Sequence, residues 1–366
     1  MRKVTLPFRS RRDGQADGAR KPGGDDIRLH VLRCAIRAPS PRNSQPWNVT
    51  LRGSGRIVLS IDHSRAARAL DPLSRQVFIS CGAFIENLDI AAREFGYRAD
   101  IDLFPAGWPV PGKPLQDPVA NIDLEKDERV RPDPLFPSIP LRSTNRRPYA
   151  KRPVPLPVAG ELADAGDYER VPMGFTSDRD LIREIGGLAT EALALELSDR
   201  TRFLESIEYF RFTDAEAAGR YDGYGLAQSG YGKVARLIAS AFRPSRDSAL
   251  SRPEVFSRRA VSDLRKVVEK CGGFGWLSTK GDFRIDQVRA GRAFERVHLM
   301  ATSLSLAVQP VTQPIADYQE MTDIKARLYG LLAVPETHML QMLFRTGYAR
   351  PVPPTPRRGV PEFIVP

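Results

Sequence analysis

Residues 74–95 read SRQVFISCGAFIENLDIAAREF, and this stretch carries the clearest structural signal in the chain. Its apolar and small side chains recur at intervals of three and four residues, the spacing that places them on one face of an α-helix. Gly96 follows at once and is a natural point for a helix to stop. The sequence therefore predicts a long helix over 74–95, with one face formed by Ala83, Phe84, Asn87, Leu88, Ala91 and Ala92.

A second stretch, residues 287–307, predicts another long helix that resembles the first. Both helices carry Ala-Phe ahead of a glutamate, at Ala83 to Glu86 in the first and at Ala293 to Glu295 in the second. Both are also apolar at similar positions after this motif. Two half-chains with similar central helices indicate a duplication, although two helices of one layered α+β fold give the same pattern.

Shorter elements fill the rest of the chain. Helices are predicted over 26–38, 177–197 (with Ser177 as its N-cap) and 201–212, and strands over 47–51, 56–61, 101–103, 274–278 and 338–348. Prolines concentrate between 105 and 157, and we place the boundary between two halves in this belt. The expected organisation is a mobile basic tail over 1–25, a first module over 26–130 and a second module over 131–366. A stretch near 213–260, rich in glycine and tyrosine, is either a surface loop or a mobile lid.

Composition excludes several classes of protein. The 366 residues carry a formal net charge of +11, but the cations are scattered, which disfavours nucleic-acid binding and favours an anionic ligand held by a few arginines. Three cysteines without a CxxC pair indicate reduced thiols in a cytoplasmic protein, and four dispersed histidines indicate no metal site. No apolar run approaches the roughly 18 residues that span a membrane. The Arg11-Arg12 pair lacks the apolar segment of an export signal.

Three short segments present groups that suit a cofactor. Residues 38–47, APSPRNSQPW, form a proline-stiffened loop whose amides and hydroxyls can bind a planar heteroaromatic ligand, and an ordinary helix-to-strand turn is the alternative. Arg142, Thr144 and Arg146 would face one way in an extended segment and match a phosphate dianion, although a solvated basic turn explains them equally well. The last segment, PPTPRR at 353–358, carries two further arginines that can reach the same phosphate.

Together these segments resemble the FMN-dependent nitroreductase superfamily, and within it the Acg-like branch, in which two nitroreductase modules are fused in one chain. The resemblance covers about residues 26–366 and is weakest over 213–260. The loop NSQPW at 43–47 and the stretch RQVFISCGA at 75–83 are its more specific parts. The resemblance implies a nitroreductase-like, three-layer α+β fold with the two modules packed as an internal pseudo-dimer.

The resemblance also implies an FMN cofactor and the residues that bind it. The loop would contact the flavin, and the Arg142, Thr144 and Arg146 pattern together with the terminal arginines would hold its phosphate. The turn at 309–314 would line the ring, with the backbone amides near Val311 and Thr312 beside N5 and O4. No catalytic side chain is expected, because the flavin carries the chemistry. The expected binding residues are Ser40, Pro41, Asn43, Gln45, Arg142, Thr144, Arg146, Pro310, Val311, Thr312, Arg357 and Arg358.

Three functions remain open at this point. The first, implied by the resemblance, is an NAD(P)H-dependent oxidoreductase that reduces a nitroaromatic, quinone or similar acceptor by a ping-pong mechanism; a specialised biosynthetic dehydrogenation also fits. The second is a flavin-sequestering or sensing protein whose lid covers the FMN. The third, a nucleic-acid binder, is disfavoured by the scattered charge. Since the loop occurs only in the first half and the other cofactor segments only in the second, we predict one composite site and one FMN per chain, which can be monomeric.

Overall fold

The computed structural model describes residues 26–107, 118–229 and 245–366. In these ranges the helices are α1 (Ile27–Ala35), α2 (Arg75–Glu94), α3 (Leu156–Gly166), α4 (Arg179–Ser198), α5 (Arg200–Glu208), α6 (Asp214–Arg220), α7 (Arg246–Ser251), α8 (Pro253–Val268), α9 (Arg284–Ser303) and α10 (Thr322–Leu331). The strands are β1 (Trp47–Arg52), β2 (Arg56–Ile61), β3 (Tyr97–Leu103), β4 (Ala120–Lys126), β5 (Met173–Thr176), β6 (Phe210–Arg211), β7 (Tyr224–Gly225), β8 (Gly273–Thr279), β9 (Ala307–Pro310) and β10 (Met339–Gly347).

Two four-stranded antiparallel sheets organise these elements. The first has the strand order β1-β2-β4-β3 and packs α1 and α2 against one face. The second has the order β5-β8-β10-β9. Along β10, Leu343 faces a core shared with α4 and α10, whereas Met342 and Phe344 face a core shared with α3 and α9. The second sheet is therefore the middle of three layers, and the predicted α+β class is confirmed.

The central helices α2 and α9 cross at two glycines. A Cβ at Gly82 would lie 2.0 Å from the carbonyl oxygen of Val288, and a Cβ at Gly291 would lie 2.0 Å from that of Ile79. Only glycine permits so close an approach of two helix backbones. The reciprocal contact gives the two helices a common register in which Gly82 corresponds to Gly291. The Ala-Phe motifs noted in the sequence differ from this register by one residue, because Ala83 follows Gly82 by one position and Ala293 follows Gly291 by two.

Several predicted boundaries are wrong, each for a local reason. Helix α4 is capped by Asp178 rather than Ser177, because the Asp178 carboxylate accepts the free N–H groups of the first turn. The last long helix ends at Ser303 instead of 307, since Ser305 has a φ of +58° and Ala307 already begins β9. The helix predicted over 201–212 stops at Glu208, after which β6 begins.

Other elements were not predicted at all. Strand β4 lies inside the proline-rich belt, yet it pairs with both β2 and β3. The region near 213–260, interpreted as a loop or lid, contains α6, β7, α7 and the first half of α8; its residues 230–244 lie outside the described ranges. The end of the chain returns to the first sheet, where Ile364 bridges to Val49 and Phe363 is fully buried.

Two general findings bear on the classes considered above. None of the described helices combines the length and the apolar composition that crossing a bilayer requires. Within the same ranges, the His, Cys, Asp and Glu side chains form no group of three or more with the arrangement of a metal site.

Candidate functional site

A cavity of about 820 Å³ opens where the two halves of the chain meet. One wall consists of the loop Pro39 to Arg42 together with α2, which contributes Gln76, Ile79, Ser80 and Ala83. The opposite wall comes from the second half and includes Thr144, Arg146, Gln309, Pro310, Thr312 and Gln313. The third wall is apolar and aromatic, with Phe210, Phe212, Tyr224 and Phe256. This combination of a largely apolar wall and a few convergent polar groups is typical of a small-molecule site.

Half of the predicted binding residues line this cavity. They are Ser40, Pro41, Thr144, Arg146, Pro310 and Thr312. The others lie behind the walls, where most of them hold the lining segments in place. This second set comprises Asn43, Gln45, Arg142, Val311, Arg357 and Arg358.

The loop of the first half has an unusual backbone that its own amides stabilise. Arg42, Asn43 and Gln45 have φ values of 50°, 59° and 54°, in the left-handed region. The Asn43 side chain donates to the carbonyl oxygens of Gly223 (3.1 Å) and Pro356 (2.9 Å). Gln45, which is fully buried, donates to the carbonyl of Tyr221 at 2.7 Å. These amides therefore tie the loop to the second half and do not face the cavity.

The two C-terminal arginines bind backbone carbonyls. Arg357 donates from Nε to the carbonyl of Ile36 and from its terminal nitrogens to those of Arg37 and Ala38, at the C-terminal end of α1. Arg358 donates to the carbonyls of Gln45 and Trp47 at 2.8 and 2.7 Å. Burial, reinforced by nearby cations, lowers the pKa of Arg357 to about 9 and that of Arg358 to about 10. In this arrangement the pair shapes the loop rather than the cavity surface.

Arg142 and Arg146 do not share one face, contrary to the expectation from an extended segment. Arg142 closes a turn in which its amide donates to Ser138, so alternation does not apply to it. Its buried side chain donates to the carbonyl of Arg37 at 2.8 Å and lies 3.4 Å from a carboxylate oxygen of Glu295. Arg146 faces the cavity, stacked 4.3 Å above the ring of Tyr224. No carboxylate of the described residues forms an ion pair with Arg146, and burial lowers its pKa.

The turn after β9 offers one free donor rather than two. The Val311 N–H donates to the carbonyl of Leu343 at 2.8 Å, so the expectation that it faces a ligand is wrong. Its side chain is also buried. The Thr312 N–H has no acceptor among the described residues, and Thr312 lines the cavity. The sheet pairing of β9 with β10 explains the difference, because the ladder continues through Val311 and ends there.

An ion pair inside the cavity has no counterpart among the predicted site residues. Arg42 donates to Glu196 at 2.8 Å and to the Ser206 hydroxyl at 3.3 Å, and both charged residues line the cavity. Glu196 is only 3% exposed, and burial raises its pKa despite the nearby guanidinium. Arg42 stands within the loop that the sequence singled out, whereas Glu196 lies in the last turn of α4 with no motif to mark it. No motif in the sequence marked the aromatic wall either; the sequence indicated only that the neighbouring stretch near 213–260 is rich in glycine and tyrosine.

Comparison with known proteins gives two similar sequences and one solved structure of partly similar shape. No family model matches the chain. A protein of Mycobacterium tuberculosis named putative NAD(P)H nitroreductase is 28% identical over 358 residues, which cover 94% of this chain and 92% of the relative. The putative NAD(P)H nitroreductase Acg of the same organism is 28% identical over 353 residues, covering 93% and 95%. A solved structure of a putative nitroreductase from Anabaena variabilis covers 88% of each chain at 10% identity, with a TM-score of 0.49.

Proposed function

The chain is a homologue of proteins named putative NAD(P)H nitroreductase, as the sequence resemblance predicted, and from this premise we propose that it is an FMN-dependent oxidoreductase. We infer that it takes hydride from NAD(P)H and passes it to a nitroaromatic, a quinone or a similar acceptor. When bound, FMN supplies the hydride chemistry at its N5, so the protein needs no nucleophile or acid of its own. The observation that carries the proposal is the composite cavity, which is lined by the loop of the first half and by two of the three cofactor segments of the second half, at Thr144 to Arg146 and Gln309 to Gln313.

The residues of the cavity fit such a cofactor. Its volume of about 820 Å³ lies within the range of roughly 300–1,000 Å³ that is common for cofactor sites. Arg146 places a cation at the wall without an acidic partner among the described residues, which favours an anionic group such as a phosphate. The free N–H of Thr312 and the hydroxyl of Thr144 favour hydrogen-bond acceptors on a ring.

The chain's own residues have three roles in this account. Ser40 and Pro41 form a rigid surface, because the loop that carries them is fixed by Arg357 and Arg358 from behind. The aromatic wall of Phe210, Phe212 and Phe256 excludes water, which strengthens polar contacts inside the cavity. Arg146 would bind the anionic group of the cofactor, and the Thr312 N–H would orient its ring. Arg142, being turned toward Glu295, positions the segment that carries Thr144.

Anaerobic mixing with a reduced nicotinamide tests the proposal. The protein, purified with FMN, is mixed with NADPH and separately with NADH while the visible flavin band is followed. We expect rapid bleaching with at least one of them, and recovery of the band when a quinone or nitroaromatic is added. Photoreduction of the same sample is the control that the bound flavin can be reduced at all. A flavin that photoreduction bleaches but neither nicotinamide does would contradict the oxidoreductase proposal.

A second candidate function, flavin sequestration, is favoured by contacts that hold the aromatic wall over the cavity. The Leu70 N–H donates to the Glu205 carboxylate at 2.8 Å, and the Tyr209 hydroxyl donates to the Arg65 carbonyl at 3.1 Å. Gln45 adds its bond to Tyr221. These contacts fix residues 205–221, which include Phe210 and Phe212 of the aromatic wall, to the first half, so they would restrict movement of that wall to admit a nicotinamide. Persistent colour with NADPH and slow release of FMN on dilution would support this alternative.

A further inference from the structure

We propose that Gln309 presents a fixed N–H donor to the ligand of the cavity and that Arg345 is the positioning residue that fixes it. This inference rests on the FMN-binding function proposed above and adds a specific recognition element to it. The ligand group that such a donor recognises is a carbonyl oxygen on a planar ring. Gln309 opens the turn at 309–314 that the resemblance placed at the ring, although its side chain was given no role, and Arg345 belongs to none of the motifs that the sequence singled out.

The orientation of the Gln309 amide follows from the chemistry of its partner. Arg345 Nε lies 2.8 Å from one terminal atom of the Gln309 side chain. A guanidinium can only donate, so this atom must be the amide oxygen, Oε1. The amide nitrogen therefore points away from Arg345. It donates to no acceptor among the described residues, and the half-buried Gln309 lines the cavity. The cavity surface gains an N–H donor whose direction cannot flip without breaking the bond to Arg345.

Arg345 is a buried cation that has no acidic partner among the described residues. It is fully buried, and within the described ranges no carboxylate forms an ion pair with it. Its remaining donors go to the carbonyls of Val267 at 3.2 Å, Arg147 at 2.7 Å and Asn145 at 3.4 Å. Its guanidinium stacks 3.8 Å from the ring of Tyr149. A buried charge with only neutral partners is costly, and its position behind the cavity wall is why we assign it a role at the cavity.

The position of Arg345 in the fold links three segments of the cavity wall. Arg345 stands directly opposite Gln309 in the pairing of β10 with β9. The carbonyl of Arg147 belongs to the segment that carries Arg146, and Val267 itself lines the cavity. One guanidinium thus fixes the Gln309 amide, supports the segment of the cavity cation and leaves its own positive charge behind the wall. A ring carbonyl that gains electron density on reduction would be stabilised by this arrangement.

Two substitutions at Gln309 test the donor directly. Gln309→Leu removes the donor and Gln309→Glu replaces it with a carboxylate that can pair with Arg345. We expect FMN affinity, measured by fluorescence titration, to fall by about tenfold in Gln309→Leu, the equivalent of one hydrogen bond. The midpoint potential of bound FMN should become more negative in both variants, and more so in Gln309→Glu. Gln319→Leu, an exposed glutamine outside the cavity, is the matched control and should leave both values unchanged.

The role of Arg345 is tested by a double-mutant cycle. If Arg345 acts through Gln309, the effect of Gln309→Leu on FMN affinity should shrink markedly in an Arg345→Met background. Arg345→Lys, which keeps a donor and the charge, should restore part of the affinity and potential that Arg345→Met loses. Strictly additive effects, or a Gln309→Leu variant with wild-type affinity and potential, would overturn the inference while leaving FMN binding intact. A wild-type protein that binds no FMN would overturn both this inference and the proposed function.

Discussion

At the scale of single residues, the arginines near the cavity divide into two groups. Arg357, Arg358 and Arg142 donate hydrogen bonds to backbone carbonyls between residues 36 and 47. The guanidinium groups satisfy carbonyls at the C-terminal end of α1 and in the loop that follows, where helix carbonyls lack partners of their own. Arg146 alone of the four faces the cavity. Loss of a side chain should therefore have different effects in the two groups.

Arg146→Ala should weaken FMN binding without destabilising the fold. A charge-assisted hydrogen bond contributes about 1.5–3 kcal/mol, so we expect the Kd to rise by about 10- to 150-fold. Because Arg146 makes no ion pair among the described residues, its removal should leave the Tm unchanged. Titration of the apoprotein with FMN and a thermal melt measure both effects.

Two further variants control that experiment. Arg183→Ala removes an arginine that is 69% exposed on α4, far from the cavity, and should change neither value. Arg142→Ala leaves the buried Glu295 and the carbonyl of Arg37 without their partner, so it should lower the Tm as well as the flavin content. Wild-type FMN affinity in Arg146→Ala would remove this residue from the binding site.

The sequence located the right segments but not the direction of each side chain. The loop at 39–42, the 144–146 segment and the turn at Pro310 all reach the cavity as expected. Whether a polar group faces a ligand or a backbone carbonyl depends on tertiary contacts, such as that of Val311 with Leu343, which no local pattern encodes. Glu196 was missed for the same reason, as was the role of the Gln309 side chain within the predicted turn.

At the scale of elements, α2 and α9 place two glutamates in equivalent positions with different surroundings. In the register set by Gly82 and Gly291, Glu86 corresponds to Glu295. Glu86 is bound by Arg292 at 2.7 Å and by Arg296 at 2.8 Å. Among the described residues Glu295 has a single ion pair, with a separation of 3.4 Å from Arg142, and burial raises its pKa to about 7.

The raised pKa of Glu295 predicts a pH-dependent contribution to stability. An unfolded glutamate has a pKa of about 4.3, so between that pH and about 7 the folded state holds a proton that the unfolded chain has lost. The contribution of Glu295 to the free energy of unfolding therefore decreases as the pH rises through this window and is constant above it. Glu295→Gln, a neutral isostere, should gain stability relative to the wild type between pH 5 and pH 8.

Denaturant unfolding at both pH values measures this difference. The exposed Glu184→Gln on α4 is the matched control and should keep a constant offset from the wild type. A Glu295→Gln variant whose offset from the wild type is the same at pH 5 and pH 8 would show that Glu295 ionises alike in the folded and unfolded states.

The crossing of α2 and α9 predicts a strong effect of adding one methyl group. Gly291→Ala would place a Cβ 2.0 Å from a backbone carbonyl, so the helices must move apart, at a cost of about 1–3 kcal/mol or more. Gly187→Ala on α4 has no atom within 4 Å of the added Cβ and should stabilise the protein by up to about 1 kcal/mol through helix propensity. Equal stability of the two variants would contradict the close helix contact.

The sequence patterns located long, regular helices and strands more accurately than short ones. The long helices α2, α4 and α9 and the paired strands β1 and β2 were located to within a few residues. Strand β4 was missed because prolines surround it, and the four-residue β5 because its strand character depends on pairing with β8. Helix α8 was not predicted, because its first half falls in the stretch near 213–260 that was assigned to a loop or lid for its glycine content. In each case the decisive contacts are with residues distant in the chain.

At the scale of the whole molecule, the composite cavity depends on the two halves being held together. The α2–α9 crossing, the ion pairs of Glu86 and the return of Phe363 to the first core all join the halves within one chain. We propose that this internal interface replaces the subunit interface of a two-fold dimer, in which each site needs pieces from both partners. A fused chain frees its halves to diverge, so that a single complete site can remain.

The number of flavins per chain tests this account most directly. FMN released by denaturation is quantified by absorbance against protein concentration, and light scattering gives the mass of the native species. We predict one FMN per chain of 40.8 kDa, because the loop Pro39 to Arg42 and the segments at Thr144 and Pro310 occur once each and meet in one cavity. Two FMN molecules per chain, or one FMN shared by two chains, would contradict a single composite site.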